Sequence, residues 1–474
     1  MTVTQRYKDF KPKAKFSQKP LTSAAQNTLK NLTNVINKKT VGELARKSKL
    51  VQRISSKIVG FDFLTCMLLA SLDAEHATLE KISDIFFNTS YRIKITPQSL
   101  MERLNGEAAP RFFKMVFEKV LQAQLNSYVS EISPRLLKHF TKILLQDSSS
   151  MDLNEKLSSF FKGSGGRASK ATVKVDVIYD FKAKRYEQIK LTDHGEADQK
   201  LALNIYDFVS QDTLIIRDLG YLRMDCVMKL NEMGAFFLSR FKNNTCVYLN
   251  INDTDELDFA EYLHRNHRYT NVVDVKLYIT KSKVPVRLIA YKVPTEISAE
   301  RRRQAHATAK KQGRTLTQKS LSLLDFSIFI TNVPEKIWSA GVVGTIYRLR
   351  WQIELLYKSW KSHLKVDYLK GENPNRIISL IYARMIVVII TNEIYKLMDY
   401  VGSSIGKVVS MHKVYNWIRC PSRLLRILNG KLGWWEERYL SDWVTLCMSK
   451  QKRKSRKTSL QAIEESDFYY QEVS

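Results

Sequence analysis

Tyr347, Arg350, Glu354 and Lys361 follow one another at intervals of 3, 4 and 7 residues. At roughly 100° per helical residue the four occupy an arc of about 60°, so one helix face carries a phenol, two cations and a carboxylate. The surrounding segment, Thr345 to Leu364, is otherwise apolar and aromatic (Ile346, Trp351, Ile353, Leu355, Leu356, Trp360) and reads as one buried helix. A carboxylate between two cations in such surroundings either binds something or serves as a structural ion pair. Any fold adopted by this chain has to satisfy that face.

A chain of 474 residues with 44% hydrophobic content can bury a sizeable core, and its length suggests roughly two to four domains. The formal charge of +29 is spread along the chain, which favours a polyanionic partner, double-stranded nucleic acid before an acidic membrane surface. The five cysteines are odd in number, widely separated and form no C-x-x-C pair. Neither a disulfide framework nor a zinc ribbon is indicated, and a reducing compartment follows. Met1 to Phe16 has charge but no apolar stretch, and the longest aliphatic run, Met385 to Ile390, is far too short to span a bilayer. The expectation is a soluble cytoplasmic protein with no membrane partner.

Residues 1–30 are polar and basic and read as a flexible arm, and residues 31–138 as a helical domain. Within it, Thr78 to Phe87 reads as a helix, and Thr96-Pro97 as the cap and first residue of another reaching Leu104. The pair is either a helix-turn-helix that offers Gln98, Ser99, Glu102 and Arg103 to a groove, or two antiparallel core helices. From residue 139 the pattern changes. An apolar run, Phe140 to Leu145, ends at Gln146-Asp147, and two alternating runs, Thr172 to Tyr179 and Arg185 to Thr192, read as a hairpin. Gly163 to Arg167 lacks the G-K-[ST] ending of a phosphate-binding loop and reads as a linker. A helical stretch leads to a short apolar strand, Thr213 to Ile216, that delivers Asp218 just past its end; a helix and a strand follow. This order is that of a mixed α/β sheet, in which acidic groups at strand ends converge on one edge.

Residues 242–324 differ in character, with strands over Val272 to Ile279 and Val284 to Val293 and a very basic helix from Ala299 to about Leu323. Arg301, Arg302, Arg303, Lys310 and Lys311 on that helix lack evident counter-charges and are expected to contact a phosphate backbone. Residues 325–400 complete the α/β domain, and 401–474 form a helical C-terminal region with a basic tail. Asp147, Asp218 and Glu354 thus share a setting. Three converging carboxylates are costly unless hard divalent cations sit among them, and two such ions serve in-line displacement at phosphorus.

The spacing Tyr347-x2-Arg350-x3-Glu354-x6-Lys361 resembles the YREK signature of bacterial transposases of the insertion-sequence-four family. Asp147 and Asp218 are similar to the two aspartates of that family's DDE triad, the second in a D-x-G-Y setting, Asp218-Leu219-Gly220-Tyr221. The resemblance covers about Leu144 to Lys365, with Asp152 a competitor for the first aspartate. It implies an RNase H-like sheet interrupted by a β-containing insertion, with an all-helical N-terminal domain. It further implies two Mg²⁺ ions, replaceable by Mn²⁺, on Asp147, Asp218 and Glu354, and phosphate contacts from Tyr347, Arg350 and Lys361. The implied function is cut-and-paste transposition of double-stranded DNA through a hairpin intermediate, by a homodimer associated with the nucleoid. A transposase-derived regulator that only binds DNA and a sequence-tolerant metal nuclease are the alternatives. Trp338 is open to two roles, stacking on an extruded base or packing in the core. His264-x2-His267 reads as a surface loop rather than a zinc site, and Asp193, His194, Glu196 and Asp198 as the rim of the main site or a helix cap.

Overall fold

The computed structural model describes residues 18–53, 58–90, 92–124, 134–163, 169–193, 196–404, 407–430, 444–448, 462–463 and 466. Helices α1 (Gln18–Val35), α2 (Lys38–Lys47), α3 (Gly60–Ser71), α4 (Leu79–Thr89), α5 (Pro97–Asn105) and α6 (Ala108–Gln122) come first, then a short α7 (Arg135–Lys138). Strands β1 (Lys142–Asp152), β2 (Thr172–Asp180) and β3 (Arg185–Asp193) follow. Helix α8 (Asp198–Leu201) and a 3₁₀ segment lead to β4 (Thr213–Arg217), α9 (Met224–Glu232) and β5 (Phe236–Arg240). Next come β6 (Val247–Tyr248), α10 (Phe259–His267), β7 (Val272–Ile279), β8 (Val284–Lys292), α11 (Thr295–Gln312), α12 (Gln318–Leu323) and β9 (Phe326–Thr331). The chain continues through α13 (Ala340–Tyr347), α14 (Trp351–Leu364), α15 (Pro374–Ser404), α16 (Met411–Ile418) and α17 (Pro421–Leu428). It divides into two compact units, residues 1–128 with 378–449, and residues 129–377 with 450–474.

The first unit is helical. Every residue of α3 is buried, in keeping with its mostly apolar sequence, whereas α6 buries a stripe of Phe112, Phe113, Val116, Phe117 and Val120. Thr96 caps α5 by accepting from the Ser99 N–H at 3.2 Å, with Pro97 at the first turn, where its missing N–H costs nothing. Of the residues expected to face a groove, Arg103 donates to the Leu50 carbonyl at 3.2 Å and Gln98 to Glu102 at 2.9 Å. The expected arm is helical from Gln18; its earlier residues lie outside the described ones, as do residues 164–168 of the glycine-rich loop and residues 449–461 with most of the basic tail.

The aliphatic run Met385 to Ile390 lies within the longer helix α15. That helix is long and apolar enough to cross a membrane by length and composition, with a window of mean hydropathy 1.8, of which 83% is buried inside the protein. Lys396 and Glu393 pair at 2.5 Å on it, both almost fully buried.

The second unit is built on one nine-stranded sheet of order β3-β2-β1-β4-β5-β9-β8-β7-β6. β1, β4 and β5 run parallel at its centre, and the other pairings are antiparallel. Strands of residues 242–324 extend this sheet through β8 and β9 instead of forming a separate layer, and Leu144, Ile215, Phe237, Leu288 and Ile330 share one core. The structure is therefore mixed α/β.

Local readings change in three places. β1 does not stop at Asp147; its parallel pairing with β4 ends at Gln146, while its antiparallel pairing with β2 continues to Asp152. The basic helix breaks at Gly313, which takes the left-handed conformation, φ 62°, that glycine adopts without a Cβ penalty. His264 and His267 lie on helix α10, not a loop.

Candidate active site

Register places the two aspartates. Leu145 of β1 lies beside Ile216 of β4, and Gln146 beside Arg217; Asp147 and Asp218 are the next residues of the two parallel strands. Because side chains alternate along a strand, Gln146 and Arg217 point to one face of the sheet while Asp147 and Asp218 share the other. Asp218 keeps extended backbone, φ −73° and ψ 163°, before the chain turns into a 3₁₀ segment, Leu219–Tyr221.

Helix α14 supplies the third carboxylate and packs on β1. Tyr357 donates its hydroxyl to the Asp147 carbonyl at 2.7 Å and to the Val175 carbonyl at 3.2 Å. Lys361 donates to the Ser150 carbonyl at 3.1 Å. Burial pushes the Asp147 carboxyl up to about 6; the Ser148 N–H and Arg350 oppose this, and Asp218 and Glu354 add to it. The three acids therefore form one electrostatic group. Among the described residues, however, no three His, Cys, Asp or Glu side chains stand together as a ready metal-binding set. In this structure Glu354 is balanced by Arg350, whose Nη1 lies 2.6 Å from its Oε1. The donors are all carboxylate oxygens, one held toward its neutral form by burial and by its like-charged neighbours. That chemistry fits a hard divalent cation, which would relieve both.

The four-residue signature does not lie on one continuous helix. Tyr347 closes α13, Arg348–Arg350 forms a 3₁₀ turn, and Glu354 and Lys361 belong to α14. Nor is the segment buried throughout, since Trp351 is 58% and Leu355 47% exposed. Tyr347 is buried, its ring 5.1 Å from that of Phe329 and its hydroxyl 3.5 Å from the Arg217 carbonyl. Burial, with Asp218 adding and Arg350 opposing, pushes its phenol up to about 12. Burial alone would lower the Arg350 guanidinium; its bond to Glu354 and the nearby Tyr347 carry it above its ordinary range.

Other expected contacts are placed differently. Trp338 is fully buried, donates Nε1–H to the Leu136 carbonyl at 2.7 Å and packs 5.0 Å from the Phe140 ring. It presents no free face to a base, and core packing accounts for it. The basic helix does have counter-charges: Arg302 meets Asp325 at 2.7 Å and Arg303 meets Glu300. Arg301 donates to the Phe326 carbonyl and the Ser327 hydroxyl, each at 2.9 Å. Lys310 and Lys311 are exposed at the end of α11. His264 accepts or donates at Ser322 Oγ, 2.9 Å away. His194 lies outside the described residues, and Asp198 sits beside the site, held by Ser148 at 3.0 Å and Lys174 at 3.1 Å.

Sequence reasoning missed a buried network on the opposite face. Arg217 donates to Gln146 at 3.2 Å, Gln146 to Asp176 at 3.3 Å, and Tyr221 to Asp176 at 2.8 Å. Asp176 is wholly buried, and burial pushes it up to about 6 against the hydrogen bonds from Tyr221 and Gln146. The signal was a charged residue, Asp176, in the middle of the wholly buried strand Thr172–Asp180. The network also gives the D-x-G-Y spacing a physical reason: a Cβ on Gly220 would lie 3.2 Å from Asp198 Oδ2, and Tyr221 must reach Asp176. Tyr357 lies in the otherwise apolar segment Thr345 to Leu364, where a buried phenol needs an acceptor.

Comparison with known proteins gives the family of the chain. A family model described as a transposase DDE domain matches residues 138–390. The transposase for insertion sequence element IS1151 of Clostridium perfringens is 27% identical over 373 residues, 75% of this chain and 77% of that protein. The transposase for IS231B of Bacillus thuringiensis subsp. berliner is 26% identical over 400 residues, 81% and 83% of the two chains. That for IS231F of subsp. israelensis is 26% identical over 412 residues, 83% and 85%. The matched region runs from before the first aspartate to beyond the signature helix and covers more than half of the chain, which belongs to the family of DDE-domain transposases.

Proposed function

We propose that this transposase binds the ends of an insertion sequence, cuts them free and joins them to target DNA, with Asp147, Asp218 and Glu354 as its catalytic carboxylates. The observation that supports the reading is the parallel register of β1 and β4, which leads to Asp147 and Asp218 as the next residues, with Asp147 raised by burial and further by Asp218 and Glu354. These three residues would hold divalent ions, Mg²⁺ or Mn²⁺. When bound, such ions activate a water or a 3′-hydroxyl and stabilise the departing oxygen.

The rest is the chain's own. Arg350 neutralises Glu354 and would offer its remaining donors to a phosphate of the bound strand. Tyr347 shapes the wall beside Asp218, and Lys361 ties α14 to β1 while its charge faces the bound strand. Exposed Lys310 and Lys311 extend the cationic surface. Nicking releases a 3′-hydroxyl that attacks the opposite strand; the resulting hairpin is reopened by water, and the freed end attacks target DNA. Each step exchanges one P–O bond for another. Both ends must be held together, so a homodimer is the working form, acting on DNA in the bacterial cytoplasm. Residues 31–138 and 401–474 are assigned to end binding and subunit pairing, and residues 242–324 to the β-containing insertion of an RNase H-like sheet.

The test uses a labelled duplex carrying the inverted repeat that brackets the gene. Wild type should nick and join it with Mg²⁺, and Asp218→Asn should retain the duplex without nicking. Absence of nicking by wild type favours a DNA-binding regulator, and equal cutting of a scrambled duplex favours a nuclease.

A further inference from the structure

Glu354 has to meet Asp147 across a junction of helix and sheet, and its own carboxylate is engaged by Arg350 on the preceding turn and is 38% exposed. What sets the junction lies further along α14. At roughly 100° per residue, Glu354, Tyr357 and Lys361 fall within an arc of about 60°, and the last two reach the sheet from that face. Tyr357 is the deeper of the pair, only 7% exposed. Its hydroxyl gives its one proton to the Asp147 carbonyl at 2.7 Å, with the Val175 carbonyl of β2 as a second acceptor at 3.2 Å.

The phenol is held in place on its other side as well. Its ring meets that of Trp360 edge-on at 5.2 Å, and Trp360 meets Tyr186 of β3 at 5.7 Å. Lys361 carries its charge on a flexible stem, so its bond to Ser150 is the looser tie. The Tyr357 bond ends on the main chain of the residue whose carboxyl is the first of the three acids, and one helical turn separates Tyr357 from Glu354. Carboxylates that serve one cation have to be held to within about 0.5 Å. Phenylalanine would pack the same ring and leave both carbonyls without this donor, so the hydroxyl has a task separable from core packing.

We propose that Tyr357 is a positioning residue: through its bond to the Asp147 carbonyl it sets the distance between the Asp147 and Glu354 carboxylates, and with it the affinity of the site for a divalent cation. This rests on the functional reading above, in which both acids hold such ions.

The experiment follows the melting temperature of the DNA-free full chain against Mn²⁺ concentration, with Asp218→Asn to identify the part of the rise that belongs to the site. Tyr357→Phe should need about 10-fold more Mn²⁺ than wild type for half of that rise. Placing 4-aminophenylalanine at position 357 restores an N–H donor and should bring the midpoint back toward wild type. Nicking of the inverted-repeat duplex by Tyr357→Phe should fall about 10-fold at low Mg²⁺ and recover most of its rate at high Mg²⁺, with duplex retention in metal-free buffer unchanged. A hydroxyl with a purely structural role would lower the metal-free melting temperature and leave the Mn²⁺ midpoint and the Mg²⁺ dependence at their wild-type values; that result overturns the proposal. If wild type gains no Asp218-dependent stability from Mn²⁺ and does not nick with Mg²⁺, the functional reading falls and takes this inference with it. If wild type does both and Tyr357→Phe matches it, the positioning role alone falls.

Discussion

Arg217 donates to the Gln146 side chain at 3.2 Å across two parallel strands, and the next residue of each strand is an aspartate of the proposed active site. A polar clamp on one face of the sheet thus fixes the relative height of two carboxylates on the other. The clamp joins a buried cation to a buried anion through an amide, since Gln146 also donates to Asp176 at 3.3 Å.

Tyr221→Phe removes the 2.8 Å hydrogen bond to Asp176. That bond favours the ionised carboxylate, so its loss raises an acid already pushed from 3.8 up to about 6. A raised acid costs nothing while protonated and destabilises the fold as pH climbs through its folded value. The variant should therefore lose roughly 1 to 3 kcal/mol at pH 7.5 and clearly less at pH 5. Urea melts at the two pH values check this; an equal loss at both would show that Asp176 is not the group affected.

Asp147→Asn should stabilise the metal-free protein. The carboxyl titrates at 3.8 in its ordinary state and at about 6 in the fold, so the penalty is absent below pH 3.8, grows between these values and is complete above about 6. A rise of this size corresponds to roughly 2 to 3 kcal/mol at pH 7.5. Thermal melts in EDTA should show a higher midpoint for the variant at pH 7.5 and a vanishing difference at pH 4, with cleavage abolished throughout. A lower midpoint at both values contradicts the assignment.

Mg²⁺-dependent cleavage should fall tenfold for each pH step below about 6, because the protonated Asp147 carboxyl cannot serve as a cation ligand. Saturating Mg²⁺ should move that fall to lower pH. Chelation should abolish cleavage and leave duplex retention in place. A pH profile insensitive to Mg²⁺ concentration would separate the titrating group from the metal site.

Trp338→Phe should cost roughly 1 to 3 kcal/mol, through the lost bond to the Leu136 carbonyl and the reduced packing on Phe140. Cleavage at a temperature where the variant is folded should stay within a few-fold of wild type. Loss of cleavage in a folded Trp338→Phe protein would return this residue to a role at the DNA.

The sequence reveals what local chemistry controls. Asp147 and Asp218 are visible because each follows an apolar run, and the Thr96-Pro97 cap is legible because side chain and backbone meet within three residues. Their pairing is hidden, because register depends on strands separated by some seventy residues. β1 runs on through Ser148, Ser149 and Ser150 since β2 supplies the partner, although serine runs have poor strand preference. The tightening at Arg348–Arg350 changes the angular position of Tyr347 relative to Glu354 without any glycine or proline to announce it. Of the counter-charges of the basic helix, Asp325 is hidden for a similar reason, lying 23 residues beyond Arg302, whereas Glu300 is local to Arg303 and legible in the sequence.

The joining of residues 242–324 to the rest through edge pairing has a practical consequence for anyone seeking a minimal enzyme. Excising β6 to β8 would strip one side of β9, leaving Ile328, Phe329 and Ile330 on an open strand with unmet amides and carbonyls. Such a rim recruits further copies edge to edge. The trimmed protein is expected to form sheet-linked aggregates unless its new border is charged or capped.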